Sequence, residues 1–153
     1  AWYHISPWGL AWDNENYYLV GYDSEDGRIK NYRVDKMLHI RISEEEREGR
    51  EHFQKLDMAD YTKKSFGMFG GEEQTVKLLV DNSLVGVILD RFGKDVMLIP
   101  ADEGHFTVNV DVHVSGQFLG WIFSLGEQVK ILSPEGVAEQ MKREAERLMR
   151  QYG

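Results

Sequence analysis

This sequence of 153 residues is long enough for one large or two small domains, and its net charge of −8 argues against gripping duplex DNA through the phosphates. It contains no cysteine, which excludes disulfides, thiolate catalysis and cysteine-ligated metal sites and fits a reducing cytoplasm. No apolar run approaches the roughly 18 residues that a membrane-spanning helix needs, so we expect a cytoplasmic protein without membrane contact.

The first predicted element is a strand region, residues 2–12, which Pro7 and Gly9 interrupt. The chain begins directly on this strand pattern and without methionine. We therefore expect a fragment of a longer protein, with no signal peptide before the strand.

Residues 16–36 are predicted to form a β-hairpin around which the first half of the chain is organised. Its first strand, residues 17–22, is aromatic and apolar, and its second, residues 28–34, alternates basic and apolar side chains. Residues 23–27 form the turn, because Asp and Gly tolerate the positive φ angles of hairpin loops. Residues 37–42 alternate again and predict a further strand. Five short strands within about 42 residues indicate a small, strongly bent barrel.

Two short helices are predicted after these strands. Residues 43–55 begin with Ser and Glu at the spacing of a capping box, which favours a helix, and residues 57–66 favour a second one. Several glycines end the second helix, and we place the domain boundary there. The first domain is then residues 1–70 and the second is residues 71–153.

The second domain shows a regular order of strands and helices. Strands are expected over residues 74–80, 96–100, 105–114 and 128–132, and helices over residues 84–92, 115–125 and from Pro134 onward. The apolar side chains expected to be buried on the last two helices are Phe118, Leu119, Ile122, Phe123, Val137, Met141, Leu148 and Tyr152. The order matches a ferredoxin-like βαββαβ domain with a C-terminal helix. The whole chain is therefore predicted as an α+β fold, in which an SH3/Sm-like β-barrel precedes the ferredoxin-like domain.

The hairpin also carries a family resemblance. Residues 17–19, Tyr-Tyr-Leu, resemble the Trp-Tyr-Leu tripeptide that names the WYL domain. Residues 31–36 resemble that family's T-F-R-L-D-R segment, and residues 5–10 resemble its x-x-P-y-g-L opening. The chain thus resembles a WYL domain in three places, in the order that the family has them.

The second half extends the resemblance. Residues 89–93, 121–126 and 129–134 are similar to the WCX domain, an extension that commonly follows a WYL domain. The chain therefore resembles the C-terminal part of WYL-type bacterial transcriptional regulators. This resemblance implies an N-terminal helix-turn-helix domain, outside this sequence, that binds promoter DNA. It also implies a homodimer, since a palindromic operator requires a two-fold axis.

The candidate ligand site combines the aromatic and the basic strand of the hairpin. Between residues 28 and 41 five residues are basic and one is acidic, a local excess of +4 in an acidic chain. Aromatic faces beside guanidinium and ammonium groups are how proteins hold nucleotides and single strands. In the resembled family this region is taken to be the ligand-sensing surface. The predicted ligand-binding residues are His4, Ser6, Tyr18, Tyr22, Lys30, Arg33 and Lys36.

Other interpretations of these residues stay open. The same aromatic side chains would also suit the core of a barrel that has a solvated basic edge. Alternate residues of the strand 105–114, from His105 to His113, share one face that could bind a metal, but such a face is more typical of the polar outer side of an antiparallel sheet. No acid–base spacing surrounds the histidines. We therefore expect no metal, no cofactor, no catalytic residue and no enzymatic activity.

The sequence predicts a regulatory module whose effector is nucleotide-like or a single-stranded nucleic acid. The effector would bind the hairpin and shift the balance between two arrangements of the DNA-binding domains. The alternative is a stand-alone Sm-like module that binds RNA or single-stranded DNA. The sequence leaves the identity of the effector open.

Overall fold

The computed structural model describes residues 1–68 and 70–153, which divide into two compact units, Ala1–Gly70 and Gly71–Gly153. Each unit contains an antiparallel sheet together with helices, as expected for the predicted α+β class. None of the helices in the described part of the chain is long and apolar enough to cross a membrane.

The first unit contains a three-stranded antiparallel sheet in which strands that follow each other along the chain are paired. Its strands are β1 (Ile5–Asp13), β2 (Asn16–Asp23) and β3 (Arg28–Arg33). Asn14 and Glu15, between β1 and β2, both have positive φ angles, which suit the twist of a tight hairpin. The predicted hairpin of β2 and β3 is confirmed, with Tyr18 directly opposite Arg33.

One face of this sheet forms the core of the first unit. Ala11 and Val20 are buried on that face against Tyr61 and Met68. Tyr61 comes from α2 (Met58–Lys64), which confirms the second of the two helices predicted after the strands. The sheet and α2 therefore bury one shared apolar cluster, which fixes the side of the sheet that each alternate strand residue faces.

The strand predicted over residues 37–42 is wrong. This segment is irregular and follows a short 3-10 helix at Val34–Lys36. Leu38, Ile40 and Ile42 are 82%, 70% and 99% exposed, because no described strand lies beside them to give the alternation a buried face. Three strands form where five were predicted, and pairing among the residues described does not close them into a barrel.

The helix predicted over residues 43–55 is also wrong, since only α1 (Arg50–Phe53) forms within it. Contacts with β1 outweigh the local capping signal. The backbone amide of Glu48 donates to Ser6 Oγ at 2.8 Å, and the indole of Trp8 donates to the Glu48 carbonyl at 2.7 Å. These long-range hydrogen bonds hold the stretch against the strand and satisfy the backbone amide and carbonyl of Glu48 without a helix.

The second unit contains a four-stranded antiparallel sheet with three α-helices. Its strands are β4 (Glu72–Asp81), β5 (Leu98–Pro100), β6 (His105–Val114) and β7 (Val129–Ser133). Its helices are α3 (Val85–Phe92), α4 (Gly116–Ser124) and α5 (Glu135–Tyr152). The strands stand in the order β5-β6-β4-β7. The elements predicted for this half are therefore present, with their ends shifted by no more than two residues.

The core of the second unit follows from the alternation on its long strands. Val108 of β6 and Leu78 of β4 are opposite each other and buried, as the period of two requires. Phe118 of α4 is fully buried. The hydroxyl of Ser115 accepts a hydrogen bond from the Phe118 amide at 3.2 Å, which confirms the predicted helix cap.

Two of the apolar residues predicted to be buried are exposed. Phe123 is 68% exposed, because it follows Phe118 by five positions and so lies about 140° away from it around the helix. Tyr152 is 81% exposed at the last position of α5, and only Val137 of that helix is buried. The predicted stripe on α5 therefore contributes to the core mainly through its first turn.

Candidate functional site

A cleft of about 500 Å³ lies along β3, which pairs only with β2 among the described strands. Its volume is within the range of small-molecule sites in proteins. The lining comes from β2, β3 and the turn that follows α2. The lining residues are Tyr18, Ile29, Lys30, Asn31, Tyr32, Arg33, Gly67, Met68 and Gly70. The cleft therefore brings together three of the seven predicted ligand-binding residues, namely Tyr18, Lys30 and Arg33.

These three residues do not lie on one face of the sheet. Tyr18 and Arg33 are cross-strand partners and share a face. Lys30 precedes Arg33 by three positions, so its side chain leaves β3 on the other side. The aromatic and basic residues reach the cleft because β3 is an edge strand that can be approached from either face.

Arg33 is held by a bidentate pair with Asp35. Its Nε lies 3.0 Å from Asp35 Oδ1, and its Nη2 lies 2.9 Å from Asp35 Oδ2. The same Nη2 donates to Asn16 Oδ1 at 2.8 Å. The hydrogen bond from Arg33 lowers the pKa of Asp35, and the carboxylate in turn raises the pKa of the guanidinium. The planar fork of Arg33 is therefore oriented before any ligand arrives.

Lys30 is enclosed by two carboxylates of the turn between β2 and β3. Its Nζ lies 2.5 Å from Asp23 Oδ2 and also forms an ion pair with Asp26. Hydrogen bonding to Asp23 and then to Asp26 raises the pKa of Lys30, and the hydrogen bond from Lys30 lowers the pKa of Asp23. The ammonium group is thus charged and compensated within the protein itself.

Tyr32 stands between the two cations along β3. Its ring centroid lies 6.1 Å from that of Tyr3, with the planes tilted by 53°. Burial raises the pKa of the Tyr32 hydroxyl, so the ring is a neutral aromatic wall at any ordinary pH. We did not predict Tyr32 as a ligand-binding residue, although it follows Lys30 by two positions and therefore shares its face of the strand.

Tyr22 and Ser6 do not line the cleft. The ring of Tyr22 stacks on His52 with 4.8 Å between centroids, and Gly49 packs directly against it. Ser6, opposite Tyr22 on β1, accepts the hydrogen bond from Glu48. Both predicted residues therefore make contacts that fasten the stretch after residue 43 to the sheet.

His4 and Lys36 also lie outside the cleft lining. His4 precedes β1 and is exposed. The side chain of Lys36 is 71% exposed, and its Nζ lies 3.8 Å from Asp35 Oδ2. Lys36 thus adds positive charge next to the pair of Arg33 and Asp35, at the end of β3.

Asn31 is another cleft residue that the sequence did not reveal. Its side-chain amide donates to the Met68 carbonyl at 2.8 Å, and its carbonyl oxygen accepts from the Tyr61 hydroxyl at 3.0 Å. Gly67 and Met68 both have φ close to +60°, which turns the chain at this point. Asn31 therefore fixes one wall of the cleft to β3. The contact spans 37 positions, so no local pattern announces it.

On the polar face of β6, His105 and Asp111 make surface contacts, whereas His113 is buried. His105 Nδ1 lies 2.8 Å from Asp102 Oδ1, and this contact lowers the pKa of Asp102. Thr75 Oγ1 donates to Asp111 Oδ1 at 2.5 Å across the sheet. Among the residues described, no group of three or more potential ligands is placed to hold a metal ion.

Two family models match the sequence. The WYL domain model matches residues 1–42, and the WCX domain model matches residues 72–149, about half of the chain on its own. The chain belongs to the WYL–WCX family. The resemblance of the hairpin and of the C-terminal half is thereby confirmed. No curated protein sequence matches the chain significantly.

Two solved structures resemble this WYL–WCX chain. Proteasome accessory factor B/C (PafBC) of Arthrobacter aurescens is 18% identical, with a TM-score of 0.39; the match covers 90% of this chain and 21% of that one. A CRISPR Cas-related protein is 16% identical, with a TM-score of 0.51, over 97% of this chain and 44% of that one. The second match supports a similar fold and nothing more. The chain spans less than half the length of either protein.

Proposed function

We propose that this WYL–WCX chain is the effector-sensing region of a bacterial helix-turn-helix transcriptional regulator. The effector is a nucleotide-like molecule or a single-stranded nucleic acid, and it binds in the cleft along β3. The observation that carries this proposal is the cleft itself, which brings together Tyr18 of the central strand β2 and a pre-oriented Arg33 of the edge strand β3 on one face of the sheet. The region acts by binding and not by catalysis.

The lining of the cleft supports an aromatic ligand that carries an anionic group. A guanidinium with a fixed plane matches the geometry of phosphate oxygens, and Arg33 is fixed by Asp35 and Asn16. Tyr18 offers an aromatic ring beside it, and Ile29 and Met68 offer apolar surface. Bases stack on such rings without regard to sequence, which suits a sensor of nucleotides or of single strands.

The finer fold assignments are inferences of the same kind. We infer a ferredoxin-like arrangement for the WCX domain; the sheet order β5-β6-β4-β7 and the succession β4-α3-β5-β6-α4-β7 support it. For the WYL domain we infer that the three strands are part of an SH3/Sm-like barrel. The short turn between β1 and β2 and the bulge between Pro7 and Gly9 support strong bending of this sheet.

Regulation would follow from different affinities of the effector for two arrangements of the whole protein. A ligand shifts an equilibrium only by the difference between its two binding free energies. In this proposal the intact protein is a cytoplasmic homodimer, and a helix-turn-helix domain outside this sequence binds promoter DNA. Effector binding in the cleft then changes how the helix-turn-helix domains bind promoter DNA.

Binding to labelled oligonucleotides tests the proposal. Fluorescence anisotropy is recorded with single-stranded DNA and RNA at low and at high salt, for the wild type and for Arg33→Ala. Arg28→Ala is the matched control, because Arg28 lies on the same strand, is exposed and does not line the cleft. We expect salt to weaken wild-type binding, and Arg33→Ala to weaken it by about tenfold or more, the scale of hydrogen bonds to a charged group.

Arg28→Ala should leave the affinity within about threefold, since an exposed charge outside the site acts only through screened, long-range attraction. Equal losses in both variants would mean that binding is diffuse and does not involve the cleft. A second measurement uses this chain joined to a helix-turn-helix domain, with and without the operator DNA of that domain. If oligonucleotide binding were the same in each case, the stand-alone RNA- or DNA-binding module would be favoured.

A further inference from the structure

The two ends of the cleft differ in charge. At one end Lys30 is enclosed by Asp23 and Asp26, which leaves a net charge of −1. At the other end Arg33 and Lys36 share Asp35, which leaves +1. The two cations stand three residues apart on β3, or roughly 10 Å along the strand. This separation is about one Debye length at physiological ionic strength, so each end acts on a ligand separately.

The negative end is a stable feature of the protein. Asp23 is buried, with only 6% of its surface exposed, and it also accepts hydrogen bonds from the backbone amides of Glu25 and Asp26. These donors and Lys30 favour the ionised carboxylate. Asp26 is half exposed and faces the same ammonium group. A phosphate placed here would meet two carboxylates for one cation, and like charges brought together in an interface are costly.

The positive end can receive an anion. The side chain of Arg33 is 40% exposed and that of Lys36 is 71% exposed, so both can be reached from solvent. The Arg33 guanidinium has five N–H donors on three nitrogen atoms. Asp35 and Asn16 engage only two of these nitrogen atoms, Nε and Nη2. A phosphate at this end therefore finds free donors and a net positive charge.

We propose that the cleft accepts ligands with a single anionic group, which binds at Arg33, and that Asp23 and Asp26 exclude a second anionic group from the Lys30 end. This inference rests on the proposed function and narrows it to a ligand class. A nucleoside monophosphate fits, with its phosphate at Arg33 and its base against Tyr18. An oligonucleotide that runs through the cleft fits less well, since it carries a phosphate at every nucleotide and brings one of them to the Lys30 end.

The test compares two probes, adenosine 5′-monophosphate and a six-nucleotide single strand of deoxyadenosine, by isothermal titration calorimetry at low salt. The informative variant is Asp26→Asn, which brings the Lys30 end to neutrality and alters a half-exposed turn residue. Glu25→Gln is the matched control, because Glu25 lies in the same turn, is exposed and carries the same charge. Circular dichroism establishes that each variant is folded.

For the wild type we expect the monophosphate to bind at least as tightly as the six-nucleotide strand. Asp26→Asn should tighten binding of the strand by about fivefold or more and leave the monophosphate within about twofold, because only the strand places charge at the Lys30 end. Glu25→Gln should change neither affinity.

Tighter binding of the strand to the wild type, with no further gain in Asp26→Asn, would overturn this inference and leave the proposed function intact. If neither probe bound the wild type or any variant, both the inference and the proposed function would be overturned.

Discussion

Replacing Gly49 by alanine should destabilise the first unit through two separable effects. Gly49 precedes α1 with a φ of +79°, a backbone conformation that disfavours side chains. A Cβ added there would stand 2.3 Å from Cγ and 2.6 Å from Cδ1 of Tyr22. The Tyr22 ring is also held by stacking on His52, with 4.8 Å between the ring centroids.

The two effects have different sizes. The left-handed backbone conformation costs an ordinary residue about 1–2 kcal/mol. Inserting a methyl group into a packed site costs about 1–3 kcal/mol more, so the free energy of unfolding should fall by about 2–5 kcal/mol in total. Gly27 isolates the first effect, since its φ is +64° and its nearest atom, Tyr22 Oη, is 3.9 Å from the added Cβ. Gly27→Ala should therefore cost only about 1–2 kcal/mol.

Urea unfolding followed by tryptophan fluorescence measures both losses. Three tryptophans, Trp2, Trp8 and Trp12, belong to the first unit, and Trp121 belongs to the second. A Trp121→Phe background therefore makes the signal report on the first unit alone. An unchanged slope of the unfolding free energy against urea shows that the variants can be compared.

A Gly49→Ala loss no larger than the Gly27→Ala loss would refute the reasoning. The ring of Tyr22 would then not be packed against Gly49, and Tyr22 would again be a candidate for ligand contact.

Two further predictions concern the cleft. Asn31→Ala should lower the free energy of unfolding by about 2–4 kcal/mol, because it removes two hydrogen bonds, one to the carbonyl of the buried Met68 and one from the Tyr61 hydroxyl. Tyr61→Phe should cost only about 1 kcal/mol in the same urea assay, and equal losses would contradict this account. The pair of Asp23 and Lys30 should stabilise the fold fully above pH 3.8 and below pH 10.5, the unshifted pKa values, because folding lowers the first pKa and raises the second. This stability should be lost as the pH falls through the folded pKa of Asp23, or rises through that of Lys30. The difference in unfolding free energy between wild type and Asp23→Asn should therefore shrink below pH 3.8, and a constant difference would contradict it.

The elements that sequence reasoning predicted well depend on local signals. The turn between β2 and β3, the alternation of β6 and the cap at Ser115 each arise from residues within a few positions. Residues 37–42 and 43–55 carried equally clear local signals, but their structure depends on distant partners. No strand lies beside the first segment in the described part of the chain, and the second is held by hydrogen bonds to β1.

The candidate site was predicted in part, for a similar reason. The hairpin supplies Tyr18, Lys30 and Arg33, but the closing wall comes from Met68, far along the chain. Positions 30 and 33 are three apart, and side chains alternate along a strand, so the sequence already indicates that the two cations lie on opposite faces. The local charge excess of +4 covers residues 28–41 only. It therefore omits Asp23 and Asp26 in the turn, which compensate the charge of Lys30.

The exposed segment from Leu38 to Ile42 bears on how this protein behaves at high concentration. Three aliphatic side chains with strong extended-chain preference face water there, with one arginine and one histidine between them. Such a segment tends to recruit strands of other molecules, and colloidal stability then depends on the repulsion that the net charge of −8 supplies. Concentrated solutions of the protein should therefore resist aggregation longest at low salt and well above the isoelectric point of about 5.1, where that repulsion has its greatest range.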